Sequence, residues 1–413
     1  MDLVSGSLFW HPTIHPTPSY PTVEEDLTCD VLVIGGGIGG LLCGALLAEQ
    51  GLKTILIEKD TITSGSTQAS TGLLQYSSDK HLSSCIHTFG ETNGVRFYRL
   101  CRQSIHDLEA LCARLPFDAQ FHPRESLYYA SCRADVPKLQ AEYEALKRYG
   151  FDATYWDDQE ISSHFSFSKP AAIFSNDNAE VNPVALSFSL AQFGIDHNLR
   201  IYEHSKLIRW DNEEHHVNCY TRKHRIRARK VVFAKGYETA QMTNDPNAVL
   251  VSTYAIATEP VREYTDWYQR AMIWETARPY LYLRTTDDNR ILIGGLDERT
   301  IRPEERDSKL LHKSDVLLNT LKSMFPNIPD IQNLKIAYQW AGVFGSTHDG
   351  YPIIGEHPSK FPNCYFVQAF GGNGMAYNLM AAQIIRDFII KGAHPDADMF
   401  RLYRSNENKP LPS

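Results

Sequence analysis

The chain has 413 residues, 43% of them hydrophobic and 22% charged, enough to bury a large core in two or three domains. Its net charge of −8 argues against a nucleic-acid or anionic-membrane surface as the main partner. Its 8 cysteines are scattered, with no C-x-x-C pair and no His cluster beside them, which excludes a disulfide frame or a zinc site and suits a reducing compartment. Residues 1–29 show no charged segment followed by an apolar core, so no signal peptide is expected and a cytoplasmic location follows. The Pro- and His-rich "FWHPTIHPTPSYPTVEED" reads as an extended arm rather than a metal tract.

Next comes an uncharged run, Val31 to Ala48, whose length approaches that of a membrane span. Its glycines decide against one, because Gly35, Gly36, Gly37, Gly39 and Gly40 are too dense for a helix interior. "VLVI" predicts a fully buried parallel strand, and "IGGLLCGALLAEQG" a helix stopped by Gly51. "LKTILIEKD" predicts a second strand ending at Glu58. The glycines at 35, 37 and 40 fit G-x-G-x-x-G. The first permits a tight turn, the second lets backbone approach a pyrophosphate, and the third lets helix and strand pack closely. The amides from Ile38 and Gly39 onward open the helix toward that phosphate. Glu58 suits ribose hydroxyls, with Lys59 beside it. A hydroxyl-rich loop follows, "DTITSGSTQASTGLL", with a helix start near Thr67.

Amphipathic helices are predicted in "TNGVRFYRLCRQSIHDLEALCARL" and "PKLQAEYEALKRYG". "RKVVFAKG" predicts another buried strand ending in a glycine turn, and "PYLYLR" with "RILIGG" a hairpin closed by "TTDDN". "CYFVQAFGGNGMAYNLMAAQIIRDFII" predicts strand, glycine turn and helix, with the turn amides at a partly positive helix end. The fold class expected is α/β plus α+β: a Rossmann-like nucleotide-binding domain with a parallel sheet, and an inserted domain with an antiparallel sheet. The boundaries expected are an N-terminal arm at 1–29, a discontinuous nucleotide domain at 30–86, 179–246 and 336–413, and a substrate domain at 87–178 and 247–335.

These blocks, in this order, resemble the D-amino-acid oxidase/glycine oxidase-like family of FAD-dependent oxidoreductases, nearest in flavour to its gamma-glutamylputrescine oxidase-like members. The resemblance runs from "DVLVIGGGIGGLLCGALLAEQGLKTILIEK" to the last helix. It implies FAD contacts in "SGSTQASTGLL", at Ser66, Thr67, Ser70, Thr71, Gly72 and Leu73. It implies an adenine contact on a strand at Leu207 of "EHSKLIRW", and pyrophosphate contacts at Ala234, Lys235 and Gly236 of "ARKVVFAKGYET". It further implies flavin contacts at Gly342 and Val343, and at Gly371, Gly372, Asn373, Gly374 and Met375. The helix start in that last segment would stabilise negative charge on the reduced flavin. The chemistry implied is transfer of hydride from a carbon next to an amine nitrogen to flavin N5. Imine hydrolysis follows, and the electrons pass to O2, giving H2O2, or to another acceptor. No side chain is assigned as acid or base, and no metal is implied. "GSTHDG" holds Ser346, His348 and Asp349, which are expected to shape a turn.

The departures from the family pattern bear on the substrate. Where amino-acid oxidases of this kind carry a carboxylate-clamping Arg, in a block like A-G-L-R-P, this chain has "AGVFG" and Phe344. A second Arg of glycine oxidases, just before Asn-Gly, is replaced by Gly372. Glycine and free D-amino acids are therefore disfavoured, and secondary, polyamine-type, dipeptide-like or apolar amines gain. Tyr280, Tyr282 and Trp340 are expected beside Phe344 in an apolar wall. Arg284 is the remaining cation that strand alternation leaves equally free to face solvent. The two covalent attachment points of relatives are occupied by Gly342 and Ala69, so non-covalent FAD is expected. The rival functions are oxidation of a 2-hydroxy acid or other non-amine substrate, and a flavin-binding subunit of a larger complex.

Overall fold

The computed structural model describes residues 1–14, 17–357 and 360–404. Two sheets organise them. The first has a parallel centre, in the order Cys364–Gln368, Arg225–Phe233, Leu27–Ile34, Thr54–Ile57, Arg200–Tyr202. Ile353–Glu356 closes one edge antiparallel, and Val217–Tyr220 with Arg209–Asn212 forms a short antiparallel flap on the start of Arg225–Phe233. The central strands are covered on both faces, which is why they read as unbroken apolar runs: Val31–Ile34, Thr54–Ile57 and Cys364–Gln368 are buried throughout. Helix Ile38–Glu49 is buried along nearly its whole circumference, and packs against helices Pro183–Asp196 and Gly374–Lys391. Asn182 caps the first of these, its Oδ1 accepting from the amides of Val184 and Ala185.

The second sheet is mostly antiparallel. It runs Val4–Ser7, Ile336–Thr347, Ala248–Thr258, Ile291–Glu298, Leu281–Thr285, Met272–Glu275, His122–Tyr129, Ala171–Glu180, Leu73–Leu74, with Ala153–Asp157 also on Ala171–Glu180. The expected hairpin is present, Leu281↔Gly295 through Thr285↔Ile291. One face packs on helix Leu310–Met324 through Tyr254, Ile256, Leu283 and Ile293. The other face carries Thr253, Tyr280 and Tyr282, as alternation requires. Both fold elements expected from sequence, the parallel nucleotide sheet and the antiparallel one, are therefore present.

Four details differ. The strand Ile336–Thr347, grouped by sequence with the nucleotide domain, belongs to the antiparallel sheet, because it pairs along its length with Ala248–Thr258. Leu73–Leu74 also joins that sheet. The arm is more than extended chain: Val4–Ser7 pairs with Gln339–Gly342, and Phe9 and Trp10 are buried. The helix expected from Thr92 starts earlier, at Leu82, and is broken at Gly90, whose φ is +81°. Asp349 does shape its turn, held by the Arg404 guanidinium at 2.7 Å.

Candidate active site

A cavity of about 680 Å³ lies between the carboxyl ends of the parallel strands and the open face of the antiparallel sheet. At its first end stands the glycine turn. Gly35 has φ +116°, and a Cβ there would sit 2.4 Å from the Ala234 carbonyl oxygen. A Cβ on Gly40 would lie 1.8 Å from the Gly35 carbonyl oxygen, so glycine alone lets helix and strand meet. Gly35, Gly37, Ile38 and Gly39 line the cavity, whereas Gly40 stands behind them. The Ile38 amide donates to Thr67 Oγ1 at 3.0 Å, tying the helix start to the hydroxyl-rich loop.

Glu58 follows strand Thr54–Ile57 and faces the cavity. It accepts from the Gly36 amide at 2.6 Å and from the Asp60 amide at 3.0 Å. Burial raises its carboxyl, and those two amides oppose the rise. Lys59 Nζ lies 2.7 Å from Glu238 Oε1. Ala234, Lys235 and Gly236 line the same end, as does Leu207. Leu207 sits in the loop between strands Arg200–Tyr202 and Arg209–Asn212, not on a strand, because the chain must leave the parallel sheet there for the flap. Lys59, Lys206 and Lys235 are the basic residues lining the cavity among those described, and all stand near this end.

The hydroxyl-rich loop makes a 3₁₀ turn, Ser66–Ala69, in place of the helix start expected near Thr67. Ser66, Thr67, Ser70, Thr71 and Leu73 line the cavity; Gly72, with φ +73°, lies behind. Ser66 Oγ is buried with no partner within the protein, a hydroxyl suited to a bound polar group. Three side chains hold the loop from its far side. Trp10 Nε1 donates to the Ser70 carbonyl at 2.7 Å and Trp340 Nε1 to the Ala69 carbonyl at 2.9 Å. Arg284 Nη1 donates to the Thr71 and Gly72 carbonyls at 3.2 and 3.1 Å.

Two expectations are corrected here. Trp340 is not a wall of the cavity, being 1% exposed and turned against the loop's back. Arg284 neither faces solvent nor reaches the cavity: it is buried, pairs with Glu180 at 3.3 Å, and spends its donors on carbonyls. Both are positioning residues.

The closing turn brings Gly371, Gly372, Asn373, Gly374 and Met375 to the cavity, where helix Gly374–Lys391 begins. Gly371 has φ +130°. The Gly372 amide donates to Asp79 Oδ2 at 3.1 Å. Gly342 and Val343 line the cavity from the other sheet, and a Cβ on Gly342 would lie 3.2 Å from the Ala69 Cβ.

The second end is aromatic and acidic. Phe344, Tyr280 and Tyr282 line it together, the two tyrosine rings 5.9 Å apart. The Tyr282 ring lies across Gly294, where a Cβ would come within 2.5 Å of its hydroxyl. Trp274, Thr253, Asp79 and Asp297 complete this end. None of these four was singled out from the sequence. Asp297 stands in "GGLDE", next to a predicted strand end, and only its pocket position distinguishes it from a solvated turn residue.

The profile of the DAO family, described as FAD dependent oxidoreductase, matches residues 30–388. The chain belongs to this family. It is therefore an FAD-dependent oxidoreductase, with FAD as its cofactor. Among curated proteins, the DAO chain is 24% identical over 95% of its length to the putative Rieske 2Fe-2S iron-sulfur protein YhfW of Bacillus subtilis, covering 75% of that protein. It is 23% identical over 95% of its length to the gamma-glutamylputrescine oxidoreductase of Escherichia coli, covering 90% of it. The structure of glycine oxidase from Geobacillus kaustophilus superposes with a TM-score of 0.78 at 20% identity, over 92% of this chain and 99% of that one. That likeness shows the shared DAO fold. Among the described residues, no helix is long and apolar enough to cross a membrane.

Proposed function

We propose that this DAO-family enzyme oxidises a small amine. The C–H bond next to the nitrogen breaks, its hydride leaves with both electrons, and a C=N bond forms that water then hydrolyses to a carbonyl and a free amine. FAD, when bound, supplies the two-electron acceptor. O2 is the proposed final acceptor, with H2O2 as product.

The chain's own residues divide the work. The glycine turn and the amides from Ile38 on hold the pyrophosphate; Lys235 and Lys59 add positive charge, and Glu58 takes the ribose. Leu207, which lines the same end of the cavity, would meet the adenine. Ser66, Thr67, Ser70 and Thr71, with Gly342, Val343 and the Gly371–Met375 turn, hold the flavin. Gly342 and Ala69 offer neither Cys nor His, which supports non-covalent binding. The division of the chain into a nucleotide-binding and a substrate domain follows the two sheets, with the strand Ile336–Thr347 moved to the second.

The observation that carries the amine reading is the second end of the cavity, where Phe344 and two tyrosines stand and the lysines do not. Arg278 lies over the Tyr280 ring at 4.9 Å but is not part of the cavity lining, so a substrate α-carboxylate there would be desolvated without a direct partner, at a cost of several kcal/mol. The same argument disfavours a 2-hydroxy acid. Anaerobic reduction of the bound flavin by a panel of amines, amino acids and hydroxy acids tests the proposal. Amines without an adjacent carboxylate should reduce it fastest. Fastest reduction by glycine, D-alanine or a hydroxy acid would overturn it.

A further inference from the structure

Asp297 stands near the end of strand Ile291–Glu298, in the wall of the cavity. Its neighbour Glu298 points the other way and is paired, with Lys313 at 2.7 Å and Lys309 at 3.1 Å. Among the described residues no basic side chain comes within 4.0 Å of Asp297, whose companions are the Thr253 hydroxyl and the rings of Tyr280 and Tyr282. The cations that act on it stand outside the cavity lining: Arg278, whose guanidinium lies over the Tyr280 ring at 4.9 Å, and Lys313, already paired with Glu298. A carboxylate enclosed without a direct counter-charge is costly, and a cationic ligand supplies one from inside the cavity. The aromatic walls add cation–π attraction. Asp79, hydrogen-bonded to the Gly372 amide, brings a second negative charge to the same end. The two places where the family resemblance implied arginines thus carry an aromatic ring, Phe344, and a glycine held by a carboxylate.

We propose that Asp297 is the specificity-determining residue of this site and reads a cationic group of the substrate other than the reacting amine, which makes the substrate a diamine or polyamine. This rests on the amine reading above. The reacting nitrogen must be neutral to release hydride from its carbon. A carboxylate on that nitrogen would hold its proton, so the acidic wall serves a charge further along the chain.

Binding and turnover separate this inference from the reading beneath it. The first measurement is a calorimetric titration of the FAD-loaded enzyme with the bis(trimethylammonium) derivative of butane, a dication that cannot form an imine, against butyltrimethylammonium. The dication should bind about tenfold or more tightly, and Asp297→Asn, matched in shape, should remove that difference while Asp297→Glu keeps most of it. Retained FAD absorbance shows that each variant is folded; if a variant loses FAD, the wild-type comparison decides alone. Equal binding of the two probes, or an unchanged preference in a folded Asn variant, overturns the proposal. The second measurement is anaerobic flavin reduction by α,ω-diamines against monoamines of equal length. A KM for diamines at least about tenfold lower, rising in Asp297→Asn with little change in kcat, supports the proposal. A kcat loss common to both substrate sets makes Asp297 a base and overturns it. Dication binding without any amine turnover would keep the cation site and reject amine oxidation.

Discussion

The indole of Trp340 donates to the carbonyl of Ala69 at 2.9 Å, joining a strand of the antiparallel sheet to the hydroxyl-rich loop that lines the cavity. Trp10, from the N-terminal segment, does the same at the next residue, Ser70. The geometry of that loop therefore depends on the packing of the second sheet against the first.

Trp340→Phe keeps the ring's bulk and removes the donor. A buried carbonyl left unpaired costs about 1–3 kcal/mol. FAD retention after dialysis should fall, and the FAD-loaded enzyme should lose more thermal stability than the apoenzyme. Equal losses in both forms would mean that the indole serves packing alone.

Glu58→Ala removes the acceptor for two amides, Gly36 and Asp60, as well as the proposed ribose acceptor. FAD affinity should drop about tenfold or more, from a loss on the order of 1.5–3 kcal/mol. Fluorescence titration of apoenzyme with FAD reads it. Unchanged affinity would leave Glu58 a strand-end residue only.

Gly40→Ala places a methyl 1.8 Å from the Gly35 carbonyl oxygen, a backbone atom that cannot step aside. The cost should reach about 3 kcal/mol or more. The variant should accumulate colourless or insoluble, whereas Gly51→Ala, with nothing within 4 Å of the new methyl, should bind FAD. Its positive φ of +80° makes Gly51→Ala a modestly strained but open comparison.

Acid precipitation should leave the yellow colour in the supernatant as intact FAD. A Cβ on Gly342 would lie 3.2 Å from the Ala69 Cβ, and neither residue carries a side chain that can form a bond to the flavin. Colour that stays with the pellet would place a covalent link elsewhere in the cavity.

The preference for dications should depend on pH. The Asp297 carboxyl is pushed up to about 6, by burial first, with the Thr253 hydroxyl opposing and the Asp79 charge adding to the rise; Arg278 and Lys313 act against it from further off. A raised carboxyl is negative above that pH and neutral below it. The diamine-to-monoamine ratio of kcat/KM should therefore fall as pH drops through about 6. Taking the ratio cancels the titration of the reacting amine common to both substrates. A ratio flat from pH 5 to 8, in rough terms the window around that value, would remove Asp297 from substrate recognition.

The glycine turn, the strand before it and Glu58 after it were legible because they are local: a tight turn, a close helix approach and a strand end are properties of adjacent residues, and their side chains state them. The hairpin was legible for the same reason, since alternation puts Tyr280 and Tyr282 on one face whatever the rest of the chain does. Arg284 shares their face, yet lies under the loop at Thr71 and Gly72, because Ala171–Glu180 and Leu73–Leu74 enter the same sheet from distant parts of the chain. Trp340 turned from expected wall to loop anchor when its strand paired with Ala248–Thr258. Asp297 could not be told from a solvated turn residue until the register beyond the bulge at Ser252 and Tyr254 set it beside Thr253. Burial without a direct counter-charge belongs to neighbours that only long-range pairing supplies, and so the sequence by itself determined the glycine turn and acidic strand end proposed to hold the cofactor, while the tertiary structure decided which charges line the far end of the same cavity.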